Sequence, residues 1–346
     1  MKTLRLCLVG FGNAGRAFCK MLIEKEKEIK DQSGFQVKVT AIATQSKGCL
    51  LDVDGIDLTQ ALDEISSYGS FQSSNPSRTP LTSMDLIRKS YGDVLVELST
   101  LSITDGQPAI NHIEAAFNEK MHVITGNKGP IAWSYKRLAA LASAHHVQFL
   151  YETTVMDGTP IFNMVRETLM GCKILSFRGI LNSTTNFILE QMEKGESYES
   201  AIILAQQQGF AEADPTLDTE GWDAAAKTAA LANVLMNADL NPKSIDRTGL
   251  SNITLSDIQS AAQSKKRIKL ICQGYYDIDH NTVMGKVFPC QIDSSDVLYN
   301  IDATSSIVSL TTDLMGTVSI LEHDPEIQQT AYGIFSDLLT LIKRLK

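Results

Sequence analysis

At 346 residues the chain is long enough for two domains of roughly 150 residues each and buries a large core without disulfide or metal staples. Its 43% hydrophobic and 21% charged residues match a soluble globular protein and exclude disordered and collagen-like classes. Lys+Arg 31 against Asp+Glu 40 leave a net charge of −9, which argues against a nucleic-acid partner while leaving room for a local basic pocket that holds a nucleotide.

Leu4 to Val9 is an apolar run that predicts a strand. Gly10-Phe11-Gly12-Asn13-Ala14-Gly15 follows, then a helical pattern from Arg16 to Lys30 and a second strand-like run, Val37 to Ala43. Together they make one βαβ unit. Tyr68 to Pro80, rich in Ser, Pro, Gly and Asn, predicts an exposed excursion. Val94 to Val96, Val123-Ile124 and Val147 to Leu150 predict further strands, and Ala109 to Glu119 and Tyr135 to Ala144 predict helices. This alternation implies an α/β fold whose N-terminal part is a Rossmann-like, doubly wound parallel sheet.

From about Pro130 the texture changes. A long helix from Asp223 to Met236 is mixed with separated strands, Leu175 to Leu181 and Thr282 to Pro289, which predicts a second, α+β domain. Gln328 to Lys346 reads as an amphipathic helix, apolar at Tyr332, Ile334, Phe335, Leu338, Leu339 and Ile342. The expected division is 1–130, 131–310 and 311–346. No run of eighteen apolar residues predicts a membrane span, and the N-terminus lacks the features of a secretion signal. The six cysteines, Cys7, Cys19, Cys49, Cys172, Cys272 and Cys290, form no CxxC pair. Buried thiols in a reducing cytoplasm are expected.

Gly10-x-Gly12-x-x-Gly15 follows a strand and opens a helix, the context in which this spacing binds a dinucleotide. One glycine makes the tight turn, one lets pyrophosphate reach the backbone, and one lets helix pack on strand. Helix N–H groups and the positive dipole end then face the phosphates. The second strand ends at Thr44-Gln45-Ser46-Lys47, without the acid that usually holds an NAD 2′-hydroxyl. Lys47 and Ser46 suit a 2′-phosphate as readily as Lys47 suits a solvated loop, so NAD and NADP both stay open.

Lys128, in Thr125-Gly126-Asn127-Lys128-Gly129-Pro130, follows a strand whose C-terminal end is where a parallel sheet binds ligands. The densest polar cluster runs from Glu212 to Lys227. Asp223 and Lys227 are four apart on one helical face, and Asp218 or Thr219 is expected to cap that helix. Carboxylates there suit an ammonium substrate and a lysine suits proton relay; an exposed ion pair is the bland reading. The histidines show no metal spacing and no Gly-x-Ser-x-Gly elbow appears. His145-His146 is expected at a helix end.

These motifs together resemble the homoserine dehydrogenases. The resemblance rests on Gly10 to Gly15, Thr125 to Lys128, Glu152 to Pro160, Gly179 to Phe187 and Glu212 to Lys227. It spans nearly the whole chain, and the last two motifs are the specific ones. It implies an N-terminal Rossmann domain for NAD or NADP, a central catalytic and dimerisation domain, and a C-terminal helix that returns to the Rossmann domain. The implied reaction interconverts L-aspartate 4-semialdehyde and L-homoserine in the pathway to threonine and methionine. The implied enzyme is a cytoplasmic homodimer.

By resemblance Lys227 is the proton donor, Glu212 and Asp223 are substrate ligands joined by Asp218 and Thr184, and Lys128 lies near nicotinamide and substrate. Ser99 and Thr100, with the glycine loop, touch the cofactor. Glu152, with the backbone carbonyls of Val155, Asp157 and Thr159, implies a monovalent-cation site for Na+. Two departures stand out. Asn182-Ser183-Thr184 replaces the family's Asn-Gly-Thr. Glu322-His323-Asp324-Pro325-Glu326 replaces a glycine-rich loop that approaches the cofactor, and an acidic loop there disfavours a 2′-phosphate. The end at Lys346 implies neither a regulatory ACT domain nor an attached kinase. The competing readings are another oxidoreductase of an amino-acid-derived aldehyde or ketone, and a non-catalytic dinucleotide-binding regulator.

Overall fold

A computed structural model describes residues 2–346. It divides into two units, Met1–Pro130 with Ser134–Pro160 and Glu326–Lys346, and Ile131–Trp133 with Ile161–Pro325. These bounds differ from the expected ones in two places: 134–160 groups with the first unit and 311–325 with the second.

The first unit runs β1 (Lys2–Val9), α1 (Asn13–Ser33), β2 (Phe35–Ala43), β3 (Cys49–Leu51), α2 (Leu58–Tyr68), β4 (Arg78–Thr79), α3 (Ser83–Lys89), β5 (Val94–Glu97), α4 (Ala109–Asn118), β6 (His122–Thr125), α5 (Lys128–Ala144) and β7 (Phe149–Leu150). Its seven strands lie in the order β4-β3-β2-β1-β5-β6-β7. The chain leaves β1 for β2 on one side and later returns to β5 on the other, so a topological switch point falls between β1 and β5. Val9 pairs with Ala43 and with Glu97. The loops after all three strands therefore emerge level with one another. The edge beyond β2 is antiparallel, through β3 and β4.

Sequence periodicity explains α1: Gly15, Phe18, Cys19, Leu22 and Ile29 are buried along one stripe, and Gly34 ends it in the left-handed conformation with φ 76°. The expected excursion from Tyr68 to Pro80 is only partly exposed. Phe71, Asn75 and Ser77 are buried, because the Glu64 carboxylate accepts the Gln72 N–H at 2.9 Å and the Asn75 amide at 3.0 Å. Helix α5 begins seven residues before the predicted Tyr135, because the Asn127 side chain caps it by accepting the Gly129 N–H at 3.0 Å.

The second unit contains α6 (Ile161–Thr168), β8 (Ile174–Ile180), α7 (Ser183–Glu193), α8 (Tyr198–Gln207), α9 (Thr216–Thr219), α10 (Trp222–Leu235), β9 (Asp246–Arg247), α11 (Leu255–Gln263), β10 (Lys266–Asp277), β11 (Thr282–Asp293), β12 (Ser306–Thr312) and β13 (Thr317–Glu322). Its sheet has the order β13-β12-β8-β10-β11-β9, built around the long β10–β11 hairpin. The fully buried Lys269 of β10 donates to Asn186 Oδ1 at 2.9 Å and to the Ile301 carbonyl at 2.6 Å. It thereby ties α7 to the strand beneath it. Burial, then the neighbouring Arg267 guanidinium, push this ammonium down to about 8.

The last helix, α12 (Ile327–Arg344), belongs to the first unit. Ala331, Ile334, Phe335, Leu338, Leu341 and Ile342 enter the same core as β1 and α1. Burying each of the larger side chains contributes roughly 1.5–3 kcal/mol. Tyr332 and Leu339, expected on that apolar face, are exposed instead. No helix among the described residues is long and apolar enough to cross a membrane.

Candidate active site

A candidate cofactor site is built on the switch point of the first unit. A cavity of about 820 Å³ is lined by Gly10, Phe11 and Gly12 after β1, Thr44 to Lys47 after β2, and Leu98 to Thr100 after β5. Each glycine has its own reason. Gly10 has φ +105°, and a Cβ there would lie 2.1 Å from the Leu98 carbonyl oxygen. A Cβ on Gly15 would lie 2.8 Å from the Gly10 oxygen, so helix packs directly on loop. A Cβ on Gly12 would meet nothing within 4 Å. That open ground, at the N-cap of α1, is what a pyrophosphate needs.

Other groups fit a dinucleotide as well. Ser99 Oγ is buried without a hydrogen-bond partner among the described residues, as is Glu97 Oε2. Thr100 is exposed at the same rim. Lys47 Nζ lies 3.5 Å from the Phe11 carbonyl, in the cavity wall and not out in solvent. Asn13 and Ala14 lie in the first turn of α1, where Asn13 accepts from Arg16 at 2.7 Å. Lys128 is half-buried at the start of α5. Asn127 beside it donates to the Ser99 carbonyl at 3.1 Å, which ties the loop after β6 to the loop after β5.

In the second unit the structure gathers Asp218, Asp223, Lys227 and Asn182. Asn182 caps α7 by accepting the Thr185 N–H at 2.8 Å. Its amide nitrogen donates to Asp218 at 2.7 Å and Asp223 at 3.0 Å. Lys227 donates to the Leu181 carbonyl at 2.6 Å and lies 3.7 Å from the Asp223 carboxylate. The two side chains are 18% and 14% exposed, so this is no solvated surface pair. Burial, then the Asp223 charge, raise the Asp218 carboxyl above the usual carboxylate range. Thr184 donates to the Phe210 carbonyl at 2.7 Å.

One sequence expectation needs correcting here. Neither Asp218 nor Thr219 caps α10; Gly221 does, at φ 75°, and Asp218 turns toward Asn182 instead. Glu212 is exposed, and its carboxylate makes no hydrogen bond or ion pair with a described residue; only its backbone carbonyl is held, by Gln206 at 3.1 Å. Asn182 was visible only as part of a motif, because an asparagine's role depends on which groups the fold brings to its two ends. Asp324 in the acidic loop accepts from Ser305 at 3.2 Å, and its backbone N–H donates to the Ser305 hydroxyl at 3.3 Å. The loop is thus tied to the turn before β12.

Glu152 is 2% exposed, and its N–H donates to Asp337 at 2.9 Å. The Val155, Asp157 and Thr159 carbonyls accept no hydrogen bond from a described residue, whereas the intervening Met156 carbonyl accepts the Thr159 N–H at 2.8 Å. No cluster of three or more His, Cys, Asp or Glu side chains is gathered for a metal among the described residues. All six cysteines are free. Burial pushes the Cys7 and Cys272 thiols up to about 12, which removes them as nucleophiles.

A parallel sheet with a glycine-cradled cavity at its switch point, together with a largely buried lysine–carboxylate cluster, has the features of a nicotinamide-dinucleotide-dependent oxidoreductase. A family model for the homoserine dehydrogenase NAD binding domain matches residues 10–152, and one for homoserine dehydrogenase matches residues 160–339. The homoserine dehydrogenase of Methanocaldococcus jannaschii is 37% identical over 99% of both chains. An NAD(+)-dependent homoserine dehydrogenase of Pseudomonas canavaninivorans is 32% identical over 98% of this chain and 96% of that one. The structure of a hyperthermophilic archaeal homoserine dehydrogenase in complex with NADPH has a TM-score of 0.84 at 25% identity, covering 99% of this chain and 98% of that one. The chain belongs to the homoserine dehydrogenase family.

Proposed function

We propose that this protein interconverts L-homoserine and L-aspartate 4-semialdehyde with NAD or NADP, and that Lys227 carries the proton. The observation that carries this reading is the Lys227 amine, held by the Leu181 carbonyl and flanked by Asp223. In the oxidation direction the substrate hydroxyl loses a proton as hydride leaves the same carbon. Lys227, as the neutral amine, accepts that proton, and in reverse its ammonium returns it. Asp223 and Asn182 fix the amine's surroundings. When bound, the nicotinamide supplies the hydride acceptor or donor.

Asp218, Asp223 and Thr184, with Glu212 from the loop before α9, are assigned to the substrate's ammonium and hydroxyl. Lys128, Ser99, Thr100 and the glycine loop are assigned to the cofactor. The Glu152 segment is assigned to a monovalent cation such as Na+, supported by its three carbonyls without hydrogen-bond donors. A homodimer belongs to the same reading, supported by exposed Leu175, Leu314 and Met315 in the second unit. So does a cytoplasmic location, supported by the free cysteines. The deciding assay is dinucleotide reduction with L-homoserine, offering NAD and NADP separately. Reduction with at least one is expected. No reduction with either, in a preparation that still binds dinucleotide, refutes the reading.

A further inference from the structure

Beyond the glycine loop, the cofactor cavity contains a hydrogen-bonded chain that the proton transfer does not use. Ser83 and His112 both line that cavity. Ser83 Oγ lies 2.9 Å from His112 Nε2, and His112 Nδ1 lies 3.3 Å from Glu97 Oε1. Glu97 is fully buried and His112 is 4% exposed. The same Glu97 oxygen accepts the Ser99 N–H at 3.2 Å, so three elements hold this chain in place.

Its position in the cavity says which part of a dinucleotide it meets. The glycine loop takes the pyrophosphate, and the end of the second strand takes the adenosine ribose. Further walls are formed by Leu81 to Met84, Pro108, Asn111 and His112. Leu81, Met84 and Pro108 are apolar and suit the faces of a ring; Ser83 and His112 are the polar pair that an edge would meet.

We infer that Ser83, oriented by His112 and Glu97, reads the exocyclic amino group of the cofactor's adenine. In a neutral imidazole one nitrogen donates and the other accepts. The Glu97 carboxylate takes the Nδ1 hydrogen, which leaves Nε2 as acceptor for the Ser83 hydroxyl. The Ser83 oxygen then turns only lone pairs toward the cavity. Lone pairs suit the 6-amino group of adenine and oppose the 6-oxo group of hypoxanthine. Ser83 is the binding residue here, and His112 and Glu97 are positioning residues.

This inference rests on the dinucleotide reading of the cavity, and the test separates the two. Binding is measured by calorimetry at pH 8 with NAD, NADP and the hypoxanthine analogue of whichever binds tighter. The wild-type protein is expected to bind the hypoxanthine analogue about tenfold more weakly, the size of one hydrogen bond. Ser83→Ala is expected to shrink that ratio to about twofold. His112→Phe, checked for folding by its thermal melt, frees the Ser83 hydroxyl to rotate. The ratio should fall there too, an effect that a merely space-filling histidine would not produce. Equal affinities in the wild type overturn the inference, as does tighter binding of hypoxanthine, which would mean the chain donates in the opposite sense. An unchanged ratio in Ser83→Ala overturns it independently of how His112→Phe folds. Failure of every dinucleotide to bind refutes the cavity assignment itself.

Discussion

Replacing Asn182 by aspartate isolates what its amide does for the candidate substrate site. Aspartate still accepts the Thr185 N–H, so the cap of α7 survives the change. What is lost is the donor that faces two carboxylates, at 2.7 Å and 3.0 Å. A hydrogen bond to a charged group contributes roughly 1.5–3 kcal/mol. One amide nitrogen serves both carboxylates, so each bond is taken at the lower end. The expected loss is about 3 kcal/mol at pH 8. The sign with pH follows from crowding. A third carboxyl beside two others has a folded-state pKa raised above its unfolded value, and its protonated form restores a donor. The deficit therefore grows as pH rises through that pKa and shrinks as pH falls. Urea unfolding of wild type, Asn182→Asp and Asn182→Ala at pH 8 and pH 5 measures it. Asn182→Ala, which lacks the new carboxyl, should recover less at pH 5, only as far as Asp218 and Asp223 themselves take up protons. Equal deficits for Asn182→Asp at the two pH values would refute the reasoning.

Three further substitutions bear on the proposed roles. Lys227→Ala should lower turnover with L-homoserine by about 10²–10⁴-fold, the usual worth of a proton-transfer group, while dinucleotide binding by calorimetry stays unchanged; near-normal turnover removes Lys227 from the chemistry. Gly12→Val has open space for its Cβ, so the thermal melt should stay close to wild type while dinucleotide affinity drops, and unchanged affinity would mean that the pyrophosphate sits elsewhere. Glu212→Gln should raise the Michaelis constant for L-homoserine about tenfold with cofactor affinity unmoved. A flat result would leave Glu212 as the solvated loop carboxylate that its exposure suggests.

The candidate cofactor cavity of the first unit was legible because the geometry that shapes it is written in contiguous sequence. A strand, a glycine loop and a helix are neighbours along the chain, and their roles follow from backbone geometry that only glycine permits. Gly10, Gly12 and Gly15 show this: each spacing requirement became a measurable close approach or an open space. Periodicity likewise exposed most of the last helix, although Tyr332 and Leu339 show that an apolar stripe read from sequence is wider than the face the core receives.

Other features depended on partners far apart in the chain. The long hairpin of β10 and β11 was half hidden, since β10 is buried along much of its length and shows no alternation to mark it as a strand. Asp218 looked like a helix cap until Asn182, thirty-six positions earlier, drew its carboxylate aside. Glu97, His112 and Ser83 carry no shared motif, and meet only because α3, α4 and β5 pack together. Local backbone preference and hydrophobic period act between neighbours in sequence, so one chain displays them. Side-chain hydrogen bonds act over about 3 Å between groups whose separation along the chain carries no information, and packing alone decides which of them meet.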